Sequence, residues 1–226
     1  MKLFNVMMIF PLVGLVACGG KDGGGSDKSQ AETSTAAEAA DGVYHAHLRP
    51  MNPHSNGFLP HGGATFRVDG DKLSVTSYLD DASGVKHRQS VHVGTSCPSV
   101  GHDTNGDGMI DYNEALKAVG PVLIPLDGDL SSQEKGSEVY PSGSAFTYNE
   151  SGFVSEMVNN LYESDPVPGD EIVKLGRGQG MKLVGRVVLV HGTYSSDLLP
   201  ATIGTRATDP ANLALPVVCG VISPVL

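Results

Sequence analysis

From Val43 onward the apolar positions of this chain recur every second residue and not every 3.6. Tyr44, Ala46 and Leu48 alternate with His45, His47 and Arg49, the pattern of a strand with one buried face. Residues 50–63 are rich in turn formers and read as a loop. Ala64, Phe66 and Val68 then alternate with Thr65 and Arg67, Asp69-Gly70-Asp71 makes a hairpin turn, and 72–79 returns as the next strand. Residues 86–93 give another strand, with Val91 and Val93 on one face and Ser90 and His92 on the other. The stretch 120–168 has no sustained period, apart from a short helical pattern at 156–161. Residues 183–191 are apolar on both faces, as in a strand inside a sandwich core, and 217–222 supply the last strand. Short strands punctuated by Gly, Pro and Asp, with little helix, predict an all-β fold, an antiparallel β-sandwich or barrel.

The N-terminus follows a different rule. Lys2 precedes an apolar run from Val6 to Val16, and Leu15-Val16-Ala17-Cys18 closes it. A charged start, a short apolar core and small residues before a cleavage point make a secretory signal, 1–17, too short to span a bilayer. The Leu-Val-Ala-Cys end resembles the lipobox of bacterial lipoproteins. That resemblance implies that Cys18 is lipidated and anchors the chain to a membrane of the cell envelope. Gly19 in place of an Asp favours the outer membrane, on the periplasmic or the surface face. Residues 18–41 are rich in Gly, Ser and Ala, cannot bury a core, and read as a flexible tether to a domain at 42–226.

The net charge of −10 and the lack of a basic cluster argue against nucleic acid as a partner. With no Trp and 6% aromatic residues the core material is modest, yet the chain after the tether suffices for one domain. Apart from Cys18, the cysteines are Cys97 and Cys219. In an oxidising envelope an even pair is expected to bond; the alternative is two separate buried thiols.

Residues 103–114 carry the most specific chemistry. Asp103, Asn105 and Asp107 stand at positions 1, 3 and 5 of an EF-hand-type calcium loop, and Gly108 at position 6 allows the required turn. Met109 at position 7 would offer its backbone carbonyl, Asp111 at position 9 would act through a water, and Glu114 at position 12 would close the site with two oxygens. Ile110 at position 8 can turn inward as an apolar anchor. Acidic turns form without metal, but they do not require Gly and Glu at fixed offsets. Four carboxylates suit calcium and do not suit zinc or copper. Upstream there is strand and Cys-Pro; downstream 113–119 predicts about two helical turns, stopped by Gly120-Pro121. It is a single loop of this kind, set in a β-rich body.

The remaining motifs resemble copper/zinc superoxide dismutases. His87-Arg88-Gln89-Ser90-Val91-His92, then Cys97 and His102, resembles that family's copper-binding strand and following loop. Gly128-Asp129-Leu130 resembles the end of its zinc loop, residues 185–191 the strand with its late copper histidine, and 218–222 the strand with its second disulfide cysteine. The order agrees from about residue 43 to the end, best at the two termini of that span and poorly over 103–127 and 131–180. The resemblance implies an eight-stranded Greek-key barrel with Cys97 bonded to Cys219. It leaves His92, His102 and His191 as a three-imidazole copper set, and His102 with Asp129 for zinc. The chain departs from the family at three points. Ser90 replaces one copper histidine, Leu126 and the calcium loop replace zinc ligands, and Pro216 stands where the guiding cation belongs, with Arg206 as a residue that could approach from elsewhere. These losses predict no dismutase activity.

His45 and His47 share one strand face with His54 and His61 in the loop nearby, a set that could hold a transition metal, although the alternation turns the first two to solvent. Gly176-Arg177-Gly178-Gln179-Gly180 opens no helix and reads as a turn, and hydrolase motifs are absent from the sequence. The expected function is that of a lipid-anchored extracytoplasmic calcium-binding protein. The rivals are a divergent copper-dependent dismutase using His92, His102 and His191, and a copper-holding envelope module.

Overall fold

A computed structural model of the chain describes residues 40–52, 58–131, 139–163, 180–194, 197, 199–206 and 209–226. The signal segment, Cys18, nearly all of the tether, His54 and residues 176–179 lie outside the described residues. Period-two patterning yields eight strands: β1 (Gly42–Pro50), β2 (His61–Asp69), β3 (Lys72–Asp80), β4 (Gln89–His92), β5 (Val122–Pro125), β6 (Phe146–Phe153), β7 (Val187–His191) and β8 (Pro216–Pro224). They form one antiparallel sheet in the order β5-β4-β7-β8-β1-β2-β3-β6. The fold is all-β, as the alternation requires. β1, β2 and β3 are joined in sequence, with the Asp69↔Lys72 pair closing the predicted hairpin. The chain then crosses to the other end of the sheet at β4, and back again between β5 and β6.

One core is shared by all eight strands. Leu48, Phe66, Leu73 and Leu79 meet Val91, Ile124, Tyr148, Val188 and Val218 in a single buried cluster, so the sheet curls around it. β1 buries Tyr44, Ala46 and Leu48 and leaves His47 exposed, matching the predicted faces. The expected strand at 86–93 is shorter than the sequence implied. Only Gln89–His92 joins the sheet, and all four residues are buried, because a second layer covers their outer side. The unassigned region 120–168 contains β5, β6 and a helix, α2 (Val154–Glu163), which includes the predicted 156–161. Leu183 precedes a turn at Val184-Gly185, so β7 begins only at Val187.

The second layer is what places the acidic loop. Helix α1 (Tyr112–Val119) ends at Gly120, as its sequence predicts. Its Ala115 and Val119 pack with Ile110 and Met51 on Val187 and Leu189 of β7 and on Cys219 of β8. Cys97 and Cys219 are bonded, with 5.8 Å between their Cα atoms. The disulfide ties the segment entering the loop to the strand beneath it. No helix among the described residues is long and apolar enough to cross a membrane.

Candidate functional site

The loop runs from a 3₁₀ turn (Val100–His102) to the N-terminus of α1. Gly108 takes φ 86°, which a side chain would oppose, and so turns the chain at position 6. The polar side chains bend back on the loop's own amides. Asp103 Oδ1 accepts from Gly106 N–H at 2.7 Å and Oδ2 from Gly108 N–H at 2.9 Å. Asn105 Oδ1 accepts from Asp107 N–H and Asp107 Oδ1 from Met109 N–H, both at 2.9 Å. Such local bonds let short Asp and Asn side chains hold a turn that regular structure would not.

The helix start closes the ring. Asp111 caps α1 by accepting from Glu114 N–H at 3.0 Å, and Glu114 Oε2 accepts from Asp111 N–H at 3.1 Å, a reciprocal capping box. Glu114 Oε1 reaches across to Thr104 N–H at 2.7 Å, the Thr104 hydroxyl at 2.9 Å and Asn105 N–H at 3.2 Å. The second and third residues of the loop are therefore joined to its last through one buried carboxylate. Burial pushes the Glu114 carboxyl up, but the N–H groups of Asp111, Thr104 and Asn105 and the Thr104 hydroxyl outweigh it and hold the group below its usual range. Asp107 is also held low: burial opposes the shift, and the Thr202 hydroxyl, Met109 N–H and Asn105 drive it. Both favour the charged form that binds a cation.

Two outside segments grip the loop, and neither was legible in the sequence. Residues 200–206 form a strap along one side, where the Thr202 hydroxyl donates to Asp107 Oδ2 at 2.6 Å and Gly204 N–H donates to Asp111 Oδ2 at 2.7 Å. On the other side Asn52, just after β1, bonds the main chain of Ile110. Ile110 itself is buried, the inward anchor expected at position 8.

The histidines of the dismutase resemblance lie in different settings. His92 and His191 are buried on β4 and β7. His92 donates from Nδ1 to the Gly120 carbonyl at 2.8 Å, so Nε2 is the acceptor and receives the Ser90 hydroxyl at 2.9 Å. The Ser90 side chain thus fixes the His92 ring from the same strand. His191 donates from Nδ1 to the Ala214 carbonyl at 2.8 Å, and its ring lies 5.6 Å from that of Tyr112. Burial lowers His92 to about 4, opposed by the Gly120 bond and aided by the Arg88 charge. Burial also lowers His191 to about 3, opposed by the Ala214 bond and aided by His92 and Arg88. Both rings are neutral at pH 7.

His102 sits in the 3₁₀ turn, where its Nδ1 accepts from Ser99 N–H at 3.1 Å. Asp129 is exposed and accepts from Ser131 N–H at 3.0 Å. The Arg206 guanidinium lies 5.9 Å from the Tyr112 ring centre and 3.5 Å from Asp209, which also pairs with Arg88 at 3.1 Å. The Tyr112 hydroxyl is buried without a hydrogen-bond partner among the described residues. His87 bridges the His191 and Ser83 carbonyls in the core at 2.9 and 2.8 Å. On the outer face His45 meets the Thr65 hydroxyl at 3.2 Å and His61 the Leu59 carbonyl at 3.2 Å.

Among the described residues, no three His, Cys, Asp or Glu side chains are grouped as a metal cluster, and this covers the loop carboxylates, which are turned to N–H groups, as well as the histidines. The loop still offers a donor set suited to a hard cation: carboxylate, amide and carbonyl oxygens and no nitrogen or sulfur. No protein-family model matches the chain, and no curated protein matches it.

Proposed function

We propose that the protein is a lipid-anchored, extracytoplasmic calcium-binding protein on a superoxide dismutase-like Greek-key barrel, without dismutase activity. The observation that carries this reading is the loop 103–114, whose positions 1, 3, 5, 6, 7, 9 and 12 all suit calcium and whose four carboxylates fall within twelve residues of sequence. Asp103, Asn105 and Asp107 would turn oxygens to the ion, Met109 its carbonyl, and Glu114 both oxygens in place of the Thr104 and Asn105 amides. The ion would offset the mutual repulsion of the carboxylates. The lipid on Cys18 would hold the domain at the outer membrane, where calcium outside the cell sets occupancy at a dissociation constant of roughly 0.1–1 mM.

Calcium that binds only the folded chain stabilises it by mass action, by about 2 kcal/mol at a thirtyfold excess over the dissociation constant. For a domain of this size that raises the melting temperature by about 4–8 °C. Replacing Asp103 and Glu114 together with Ala should abolish the shift. An undiminished shift in that variant would sink the proposal. The rival, a copper-dependent dismutase or copper-holding protein, draws on the two buried neutral imidazoles, His92 and His191. Elemental analysis of protein purified without chelators separates the two: near one calcium per chain supports our reading, and near one copper per chain supports the rival.

A further inference from the structure

To described residues, the Asn52 side-chain amide makes three hydrogen bonds. Its Oδ1 accepts from Ile110 N–H at 2.8 Å, and its Nδ2 donates to the Ile110 carbonyl at 2.9 Å and the Pro216 carbonyl at 3.0 Å. Only this orientation of the amide satisfies all three, since a flip would face N–H with N–H and carbonyl with carbonyl. The backbone there is left-handed, φ 52°, a conformation that Asn tolerates better than most residues. Met51 N–H is bonded to the Val217 carbonyl at 2.7 Å, so Asn52 is fixed to the start of β8. Residues 58 apart are thereby held in register.

The consequence lies on the far side of two peptide planes. A trans peptide points its N–H and its carbonyl in opposite directions. With the Ile110 N–H directed outward to Asn52, the Met109 carbonyl of the same peptide is directed into the loop, where position 7 of a calcium site needs it. The Ile110 carbonyl likewise points out to Asn52, so the Asp111 N–H of the next peptide points in, and it does bond Glu114 Oε2 at 3.1 Å. One side chain sets the direction of two successive peptides at the ligand-bearing turn.

We infer that Asn52 is the positioning residue of the cation site, presetting the Met109 carbonyl and the Glu114 carboxylate for a divalent cation; this rests on the calcium reading given above. In this fold the Asn52 side-chain amide supplies to Ile110 both bonds that a neighbouring strand would. Presetting lowers the ordering cost of binding and appears in affinity more than in the stability of the ion-free fold.

The test uses the full chain with calcium alone as the probe, in two variants. Asn52→Gly suits the positive φ and removes the amide. Asn52→Asp keeps the shape and the acceptor for Ile110 N–H, but turns both donor contacts into oxygen facing oxygen. Titration calorimetry should show the calcium dissociation constant rising about tenfold in each, and hydrogen exchange should speed up at the amides of Ile110 and Asp111. An unchanged dissociation constant with a melting temperature lowered equally with and without calcium would reduce Asn52 to a structural residue and overturn the inference. If the unaltered protein binds no calcium, the functional reading fails instead. Exchange at Ile110 without calcium then still decides the clasp, and undiminished protection in Asn52→Gly overturns it.

Discussion

Removing the disulfide tests how the loop-bearing segment is held to the sheet. Cys97 and Cys219 are 122 residues apart, and their bond closes more than half of the chain into one loop. By loop-closure entropy, a constraint of that length stabilises the folded state by about 5 kcal/mol, through the freedom it removes from the unfolded chain. Cys219 is buried against Val187, Leu189, Ile110 and Val119, so the perturbation should keep the site apolar: Cys97→Ala with Cys219→Ala. Urea unfolding at fixed calcium compares the double variant with the oxidised protein. At a slope of about 2.5 kcal/mol per molar, the midpoint should fall by about 2 M, and the slope should rise because the uncrosslinked unfolded chain exposes more surface. The calcium dissociation constant should change far less than the stability, since Asn52, Thr202 and Gly204 still grip the loop. A loss below about 1 kcal/mol with an unchanged slope would refute the reasoning, because it would mean that the unfolded ensemble gains little from releasing so long a loop.

Acid should destabilise the fold through its buried histidines. His92 and His191 have folded values near 4 and 3, below the unfolded 6.5, so their contribution is present in full above pH 6.5 and is lost as pH falls through that window. Together the slope is about 3 kcal/mol per pH unit; equal urea midpoints at pH 7 and pH 5 would contradict it. The depressed Asp107 and Glu114 act in the same direction at lower pH, their contribution being lost as pH falls below the ordinary carboxylate range. For the strap, Gly204→Ala places a methyl 2.5 Å from Asn113 Nδ2 and 2.9 Å from Asp111 Oδ2 and so displaces the Gly204 N–H from Asp111. One bond to a charged group is worth about 1.5–3 kcal/mol. Calorimetry should therefore record calcium binding weakened about tenfold or more, and equal affinity in the variant would show that the strap does not act on the loop.

The chain's alternation, its glycines and its acidic spacing determined much of this protein directly. Tyr44, Ala46 and Leu48 face the core because successive strand residues point to opposite sides, and that follows from local geometry alone. The end of α1 was legible for the same reason, since Gly120-Pro121 stops the helix; its start at Tyr112, capped by Asp111 and Glu114, was not, because those two residues read as calcium ligands. The side-chain-to-amide bonds of 103–114 depend on contacts within twelve residues, and so the spacing of the loop could be read. β5 and β6 were missed because neither carries a long enough period. Val122–Pro125 is an apolar run of four, and the burial of Phe146–Phe153 depends on its pairing with β3.

What only the tertiary structure decided is how distant segments meet. Asn52, Thr202 and Gly204 carry no signal in their own neighbourhoods. They matter because the sheet order brings the end of β1, the start of β8 and the strap against one loop. The short β4, buried on both faces, and the pairing of Ser90 with His92 likewise depend on a second layer that packs over the strand. Local periodicity fixes which way a residue faces. Which residue it meets is set by chain crossings over a hundred residues or more, and those leave no trace in the spacing of a single segment.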